Sequence, residues 1–168
     1  RASVLVAVCL ALAACQPATP IAPTTTSPSL SAPSSSASAT IDYTAPGEAE
    51  SVLKQLASLA GSTDRLLRIV ITKDTAELSV LRDKQAVTYR AQNGELAEAD
   101  DSDLQYVGQS TFSLADFNLA DVGLLFRQAA DLSGSDAAQE LQIVDYNNQQ
   151  VLMTVTTNPE SLTVFFQP

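Results

Sequence analysis

Hydrophobic and polar positions divide the 168-residue chain into three regimes. Residues 2–14, Ala-Ser-Val-Leu-Val-Ala-Val-Cys-Leu-Ala-Leu-Ala-Ala, form an uncharged apolar run behind Arg1. Residues 16–40 are Pro, Ser, Thr and Ala apart from Gln16, Ile21 and Leu30, with neither charge nor aromatic ring. Periodic patterning begins after that. Thr44-Ala45-Pro46 reads as a helix start, with Thr as N-cap and Pro in the first turn. Val52, Leu53, Leu56, Leu59 and Ala60 follow at helical spacing, and Gly61 is a stop signal.

Alternating segments then predict strands with one buried face: Leu67–Ile71, Ala76–Arg82 and Ala86–Gln92. Turn pairs separate the segments: Asp83-Lys84, Asn93-Gly94, Asn147-Asn148 and Asn158-Pro159. Asn93-Gly94 is the strongest hairpin signal and predicts a short further strand near Glu95–Ala97. The same order then recurs. Val52–Ser62 lines up with Leu125–Ser135, matching Gln, Ala, Leu, Gly and Ser, and Lys54 is answered by Arg127. Asn118, with Asp121 three residues on, marks the start of this second helix. Leu67–Ile71 corresponds to Leu141–Asp145, and strands Val151–Thr157 and Leu162–Gln167 complete the second copy.

The expectation is an α+β fold: a duplicated α-β-β-β unit whose antiparallel sheet carries its helices on one face. The repeats span about 48–97 and 117–168 within a folded region 48–168. One copy alone is too small to bury both faces. Two copies make either one broad sheet or two adjoining sheets. This order of elements resembles tandem helix-plus-sheet modules of extracytoplasmic proteins. Examples are the PepSY-like domains, the repeats of secreted β-lactamase inhibitory proteins, and actinobacterial lipoproteins with a Pro/Ser/Thr-rich tether. The resemblance covers about residues 48–168, rests on element order alone and transfers no functional residue.

The apolar run is too short to span a bilayer, which takes roughly 20 residues; it has the length of a signal-peptide core. It ends Leu12-Ala13-Ala14-Cys15, which resembles the lipobox of bacterial lipoproteins. That resemblance implies cleavage before Cys15, with residues 1–14 as the signal peptide, and Leu12, Ala13 and Ala14 as the peptidase recognition residues. It also implies transfer of a diacylglyceryl group to the Cys15 thiol. The chain would then partner a membrane through Cys15, on the extracytoplasmic face of the cell membrane. With Gln16 rather than Asp next to the cysteine, the family rule points to the outer membrane in a Gram-negative host. Two or more acyl chains hold a protein stably where one holds marginally. Residues 15–47 read as lipidated Cys and tether, because a Pro/Ser/Thr stretch without apolar surface does not offset its ordering entropy. Extended, residues 16–40 would reach on the order of 75 Å at ~3.1 Å per residue.

Charge narrows the choice of partner. The net charge is −10, so nucleic-acid binding is not expected, since phosphate recognition needs a basic surface. Glu48–Arg90 holds seven basic residues against six acids, whereas from Asn93 onward Arg127 faces twelve acids. Solubility accounts for the acidic half; a basic partner or a cation would also use it.

Candidate chemistry is sparse. The chain has no His, and Cys15 is the only cysteine after the apolar run, so Ser-His-Asp triads, His-metal sites, thiolate zinc and disulfides are not expected. Ser51-Val52-Leu53-Lys54 matches the S-x-x-K pair of penicillin-recognising enzymes, but neither Ser-Asp-Asn nor Lys-Thr-Gly follows; a solvated helix face accounts for it. Glu95, Glu98, Asp100, Asp101 and Asp103 form an acidic run. Asp101 and Asp103 begin like a calcium loop, yet Tyr106 stands where Gly is needed and Phe112 where Glu is needed. Tyr106, Phe112, Leu114 and Phe117 lie around the entry to the second helix and read first as core joining the two halves; Tyr106, Phe112 and Phe117 are the candidate binding surface if they line a groove instead. No catalytic residue, metal or cofactor is expected. The leading expectation is a non-enzymatic binding or scaffold module of the cell envelope with a protein or cell-wall partner. The alternatives are a carrier or sensor of a small amphiphile, and an inhibitor of another envelope protein.

Overall fold

A computed structural model describes residues 40–101, 104–148, 150–157 and 162–168. Residues 1–39, including Leu12–Cys15 and the greater part of the expected tether, lie outside these, as does the Asn158-Pro159 turn. The elements are α1 (Glu48–Ala60), β1 (Leu66–Ile71), β2 (Thr75–Arg82), β3 (Gln85–Gln92), β4 (Glu95–Ala99), α2 (Val122–Ser133), β5 (Glu140–Tyr146), β6 (Gln150–Thr157) and β7 (Leu162–Phe166).

The seven strands form one antiparallel sheet, of order β4-β3-β2-β1-β5-β6-β7. β1 to β4 meander toward one edge. The chain then returns and lays β5 on the free side of β1, so of the two arrangements the sequence left open, the single broad sheet is the one formed. The turns follow from residue chemistry. Asp83-Lys84, Asn93-Gly94 and Asn147-Asn148 all have positive φ, the geometry whose twist suits tight hairpins. Asn93-Gly94 does produce a further strand, β4.

The register places Ile69 beside both Leu78 and Ile143, Leu78 beside Tyr89, and Ile143 beside Met153. These alternate residues merge with Val52, Leu53 and Leu56 of α1 and Val122, Phe126 and Ala129 of α2 into one apolar cluster. α1 packs on β2 and β3, and α2 on β6 and β7. At roughly 1.5–3 kcal/mol for each fully buried large aliphatic side chain, this cluster is the main source of stability.

Both helices end as the sequence predicts, on left-handed glycines, Gly61 (φ 69) and Gly134 (φ 74). Their starts differ from expectation. α1 is preceded by Gly47 (φ 81) and has no side-chain cap. Thr44 instead donates its backbone N–H and its hydroxyl to Asp42 Oδ1, closing a local turn three residues early. The N-cap of α2 is Asp121, whose Oδ1 accepts from Leu124 N at 2.8 Å, while Asn118 caps the preceding turn through Ala120 N. The folded unit also begins ahead of α1: Tyr43 is 1% exposed, and the Thr44 carbonyl accepts from Gly123 N. Ser36–Pro168 forms one compact unit, and its apolar cluster begins at Ile41.

Candidate functional site

A groove of about 1070 Å³ opens beside α2 among the described residues. Four pieces of chain build it: the Asp42–Pro46 turn, the β1–β2 turn (Thr72–Asp74), one flank of α2, and the approach to β5 (Asp136–Glu140). Hydrogen bonds Gly47 N to Ala120 O (2.7 Å) and Gly123 N to Thr44 O (3.0 Å) tie the turn before α1 to the start of α2 and fix one wall. Gly123 is needed for that approach, because a Cβ there would lie 2.6 Å from the Thr44 carbonyl oxygen.

The lining is acidic: Asp42, Asp74, Asp131, Asp136 and Glu140 against Lys73 and Arg127. Phe126, Ala130 and Pro46 supply apolar surface. The Asp42 carboxyl is held below its usual range chiefly by the Thr44 hydroxyl; burial opposes this, and the Thr44 amide and the Lys73 charge add smaller lowering effects. Glu140 is raised: partial burial disfavours its charge and Glu77 adds to this, while Arg68 opposes it. The groove thus combines an excess of carboxylates with an apolar floor, an arrangement suited to cationic groups on a short apolar stem.

A second polar cluster lies on the other face of the sheet. Arg68 alternates away from Ile69, and its guanidinium donates to Asp101 Oδ2 and lies 3.6 Å from Glu77. Arg90 Nε donates to Glu77 Oε1 at 2.6 Å, and the buried hydroxyls of Ser79 and Thr88 bond each other at 2.8 Å. Asp101 thereby anchors the connection that leads from β4 back to β1. That connection is anchored again where Leu66 and Phe112 exchange backbone hydrogen bonds at 3.0 Å, and where Ser110 N donates to Asp145 Oδ2 at 2.6 Å. Asp145 Oδ1 is buried with no partner among the described residues.

The residues singled out from sequence fall in separate places. Cys15 and its recognition residues lie outside the described residues. Phe112 is 6% exposed and meets half-buried Phe117 edge-on, at 5.4 Å between ring centres, at the margin of the core. Tyr106 is half-buried in the β4–α2 connection. Lys54 pairs with Glu50 on an exposed face of α1 rather than with Ser51, whose hydroxyl faces Gln55. Glu95 and Glu98 stand on β4, whereas Asp101 turns under the sheet to Arg68. Among the described residues no three His, Cys, Asp or Glu side chains gather as a metal site, and no helix is long and apolar enough to cross a membrane.

Sequence reasoning missed the groove, whose walls come from four distant segments. The Arg68 cluster had a signal: one charge inside Leu66-Leu67-Arg68-Ile69-Val70-Ile71, apolar on both sides, must find a buried partner. Comparison with known proteins finds no match: no family model, no curated protein and no solved structure corresponds to the chain.

Proposed function

We propose that this chain is a lipid-anchored, extracytoplasmic binding module that catalyses no reaction. Cys15 carries the lipid, the following Pro/Ser/Thr-rich segment holds the folded unit away from the bilayer, and the groove beside α2 receives a cationic segment of an envelope protein or cell-wall polymer. The observation that carries this reading is the groove: open, acidic by five carboxylates to two cations, and floored by Phe126. Its openness and charge favour a polymer segment over an enclosed amphiphile, since small-molecule sites are mostly apolar and bury most of their ligand.

The groove's position has a simple origin if the chain is a duplicated α-β-β-β unit with both helices on one face. The register supports this. The equivalent residues Ile69 and Ile143 lie directly opposite each other, Arg68 faces Val144, and Val70 faces Gln142. With Arg68 matched to Gln142 and Val70 to Val144, that pairing is what a two-fold axis between β1 and β5 requires. α1 over β2–β3 and α2 over β6–β7 then stand four strand spacings apart, about 19 Å at ~4.8 Å each. Helices in contact sit 8–10 Å apart, so the space between them is left to connecting segments and to the groove.

The test is native mass spectrometry of the Ser36–Pro168 unit after incubation with detergent-extracted envelope. A protein- or glycan-sized adduct, lost in the Asp131→Lys, Asp136→Lys double variant, is expected. An adduct of lipid mass would replace this reading with a carrier, and a bare domain in every extract would refute it. Anchoring is tested separately: Cys15→Ser should move the full chain from the membrane to the soluble fraction.

A further inference from the structure

We propose that the β7 edge, together with the outer flank of α2, is a self-association surface: two copies pair β7 with β7 antiparallel and continue one sheet through both molecules. The proposal is independent of the groove, which lies on the opposite flank of α2.

Among the described residues β7 is the last strand of the sheet and pairs with β6 alone. At the other edge β3 is covered by β4, and among the described residues no strand covers β7 in the same way. An uncovered edge offers a row of free N–H and C=O groups, which monomeric proteins blunt with charge, proline or a bulge. Leu162–Phe166 has no charge and no proline, and Phe165 is 62% exposed. The β4 edge differs, because Glu95 and Glu98 would place like charges together in a self-pairing.

The helix extends the surface. Gly123, Arg127 and Asp131 face the groove. At 100° per residue, Leu125 and Leu132 then point to the opposite flank, toward the β7 edge. Leu132 is 74% exposed, and Leu125 is half-buried against the core, as are Val164 and Phe166 of β7. On the helix face the edge is therefore apolar on both strand (Val164, Phe166) and helix (Leu125, Leu132), while Phe165, opposite Thr154, makes the other face of the edge apolar as well.

Geometry selects a second copy as the occupant. α2 lies over β6 and β7, about one strand spacing (~4.8 Å) from a two-fold axis placed beside β7. That axis brings the two α2 helices to about 10 Å, a packing distance at which Leu125 and Leu132, two turns apart, interleave with their mates. The chain's own centre already uses this operation, antiparallel pairing of β1 with β5. The edge is neutral although the chain carries −10, so repulsion is not concentrated there. A two-fold contact also closes, leaving no second β7 edge to propagate a fibre.

Light scattering on the eluting Ser36–Pro168 unit tests this, with Leu132→Asp and Phe165→Lys as variants at exposed positions. The wild type is expected at twice the monomer mass with a melting midpoint that rises with protein concentration, and each variant at the monomer mass with unchanged circular dichroism and a midpoint independent of concentration. Amide exchange in Leu162–Phe166 is expected to slow only in the wild type. A wild type that stays monomeric at every concentration, or a dimer that survives both substitutions, overturns the proposal.

Discussion

If β1 and β5 join the two halves into one cooperative unit, damage at their junction should be felt in both. Ile69 and Ile143 are fully buried and directly paired, with neighbours from both halves. Truncating either to Ala removes three carbons. At ~0.8 kcal/mol per carbon the transfer loss is about 2.4 kcal/mol. A void of roughly 80 Å³ adds up to about 2 kcal/mol if nothing relaxes into it, so each single change is expected to cost between about 2.4 and 4.4 kcal/mol. A domain of about 130 residues holds roughly 6–20 kcal/mol in total, so each loss is a large fraction of it. Because the two voids adjoin, the double variant should depart from additivity by about 0.5 kcal/mol or more. Urea unfolding followed by circular dichroism measures this, the chain having no Trp for fluorescence. One transition is expected in every variant, with Ile69→Ala accelerating native-state amide exchange in β6 as much as in β2. Exchange in β6 that stays at its wild-type rate in Ile69→Ala, or two separable transitions, would refute the single-unit reasoning.

Other consequences can be checked on the same unit. Arg68→Ala leaves the Asp101 carboxylate without its cation in a poorly hydrated site and should cost about 3–5 kcal/mol by urea unfolding; a loss below about 1 kcal/mol would show the cluster to be solvated. Gly123→Ala gains about 1 kcal/mol of helix propensity but drives a Cβ to 2.6 Å from the Thr44 carbonyl, so a net loss of about 1–2 kcal/mol is expected in thermal unfolding; a gain would mean the Thr44 turn yields freely. Glu140 has a raised pKa, so the native state holds its proton more tightly than the unfolded chain, and its contribution is present in acid and lost as pH rises through the native value. Glu140→Gln should therefore raise the melting midpoint at pH 7 and leave it unchanged at pH 3; a lower midpoint at pH 7 would place the carboxylate in a favourable interaction instead.

Local signals determined the elements of this protein. Gly61 and Gly134 stop the helices because the left-handed conformation they adopt strains other residues. Asn93-Gly94 makes a hairpin, and period-two alternation in Leu78/Val80 and Met153/Val155 fixes which side of each strand is buried. Each of these depends on a few neighbouring residues, so it is legible without the fold. The start of α1 departs from the sequence pattern because the Thr44 hydroxyl bonds Asp42 Oδ1 and is not free to cap a helix N–H.

The tertiary structure decided what depends on residues far apart in the chain. That β1 pairs with β5 to give one sheet, rather than two adjoining ones, is a contest between strand edges that no single segment encodes. Arg68 announces that a charge is buried, but Asp101 becomes its partner only because the connection from β4 returns beneath the sheet. The groove has walls from Asp42, Asp74, Arg127 and Glu140, which share no local pattern. Phe112 and Phe117 looked alike in sequence as surface or core; their places were settled by Leu66 taking Phe112 as a backbone partner. Local conformation follows from short-range sterics and hydrogen bonding, whereas a site assembled from four segments exists only once the whole core has closed around them.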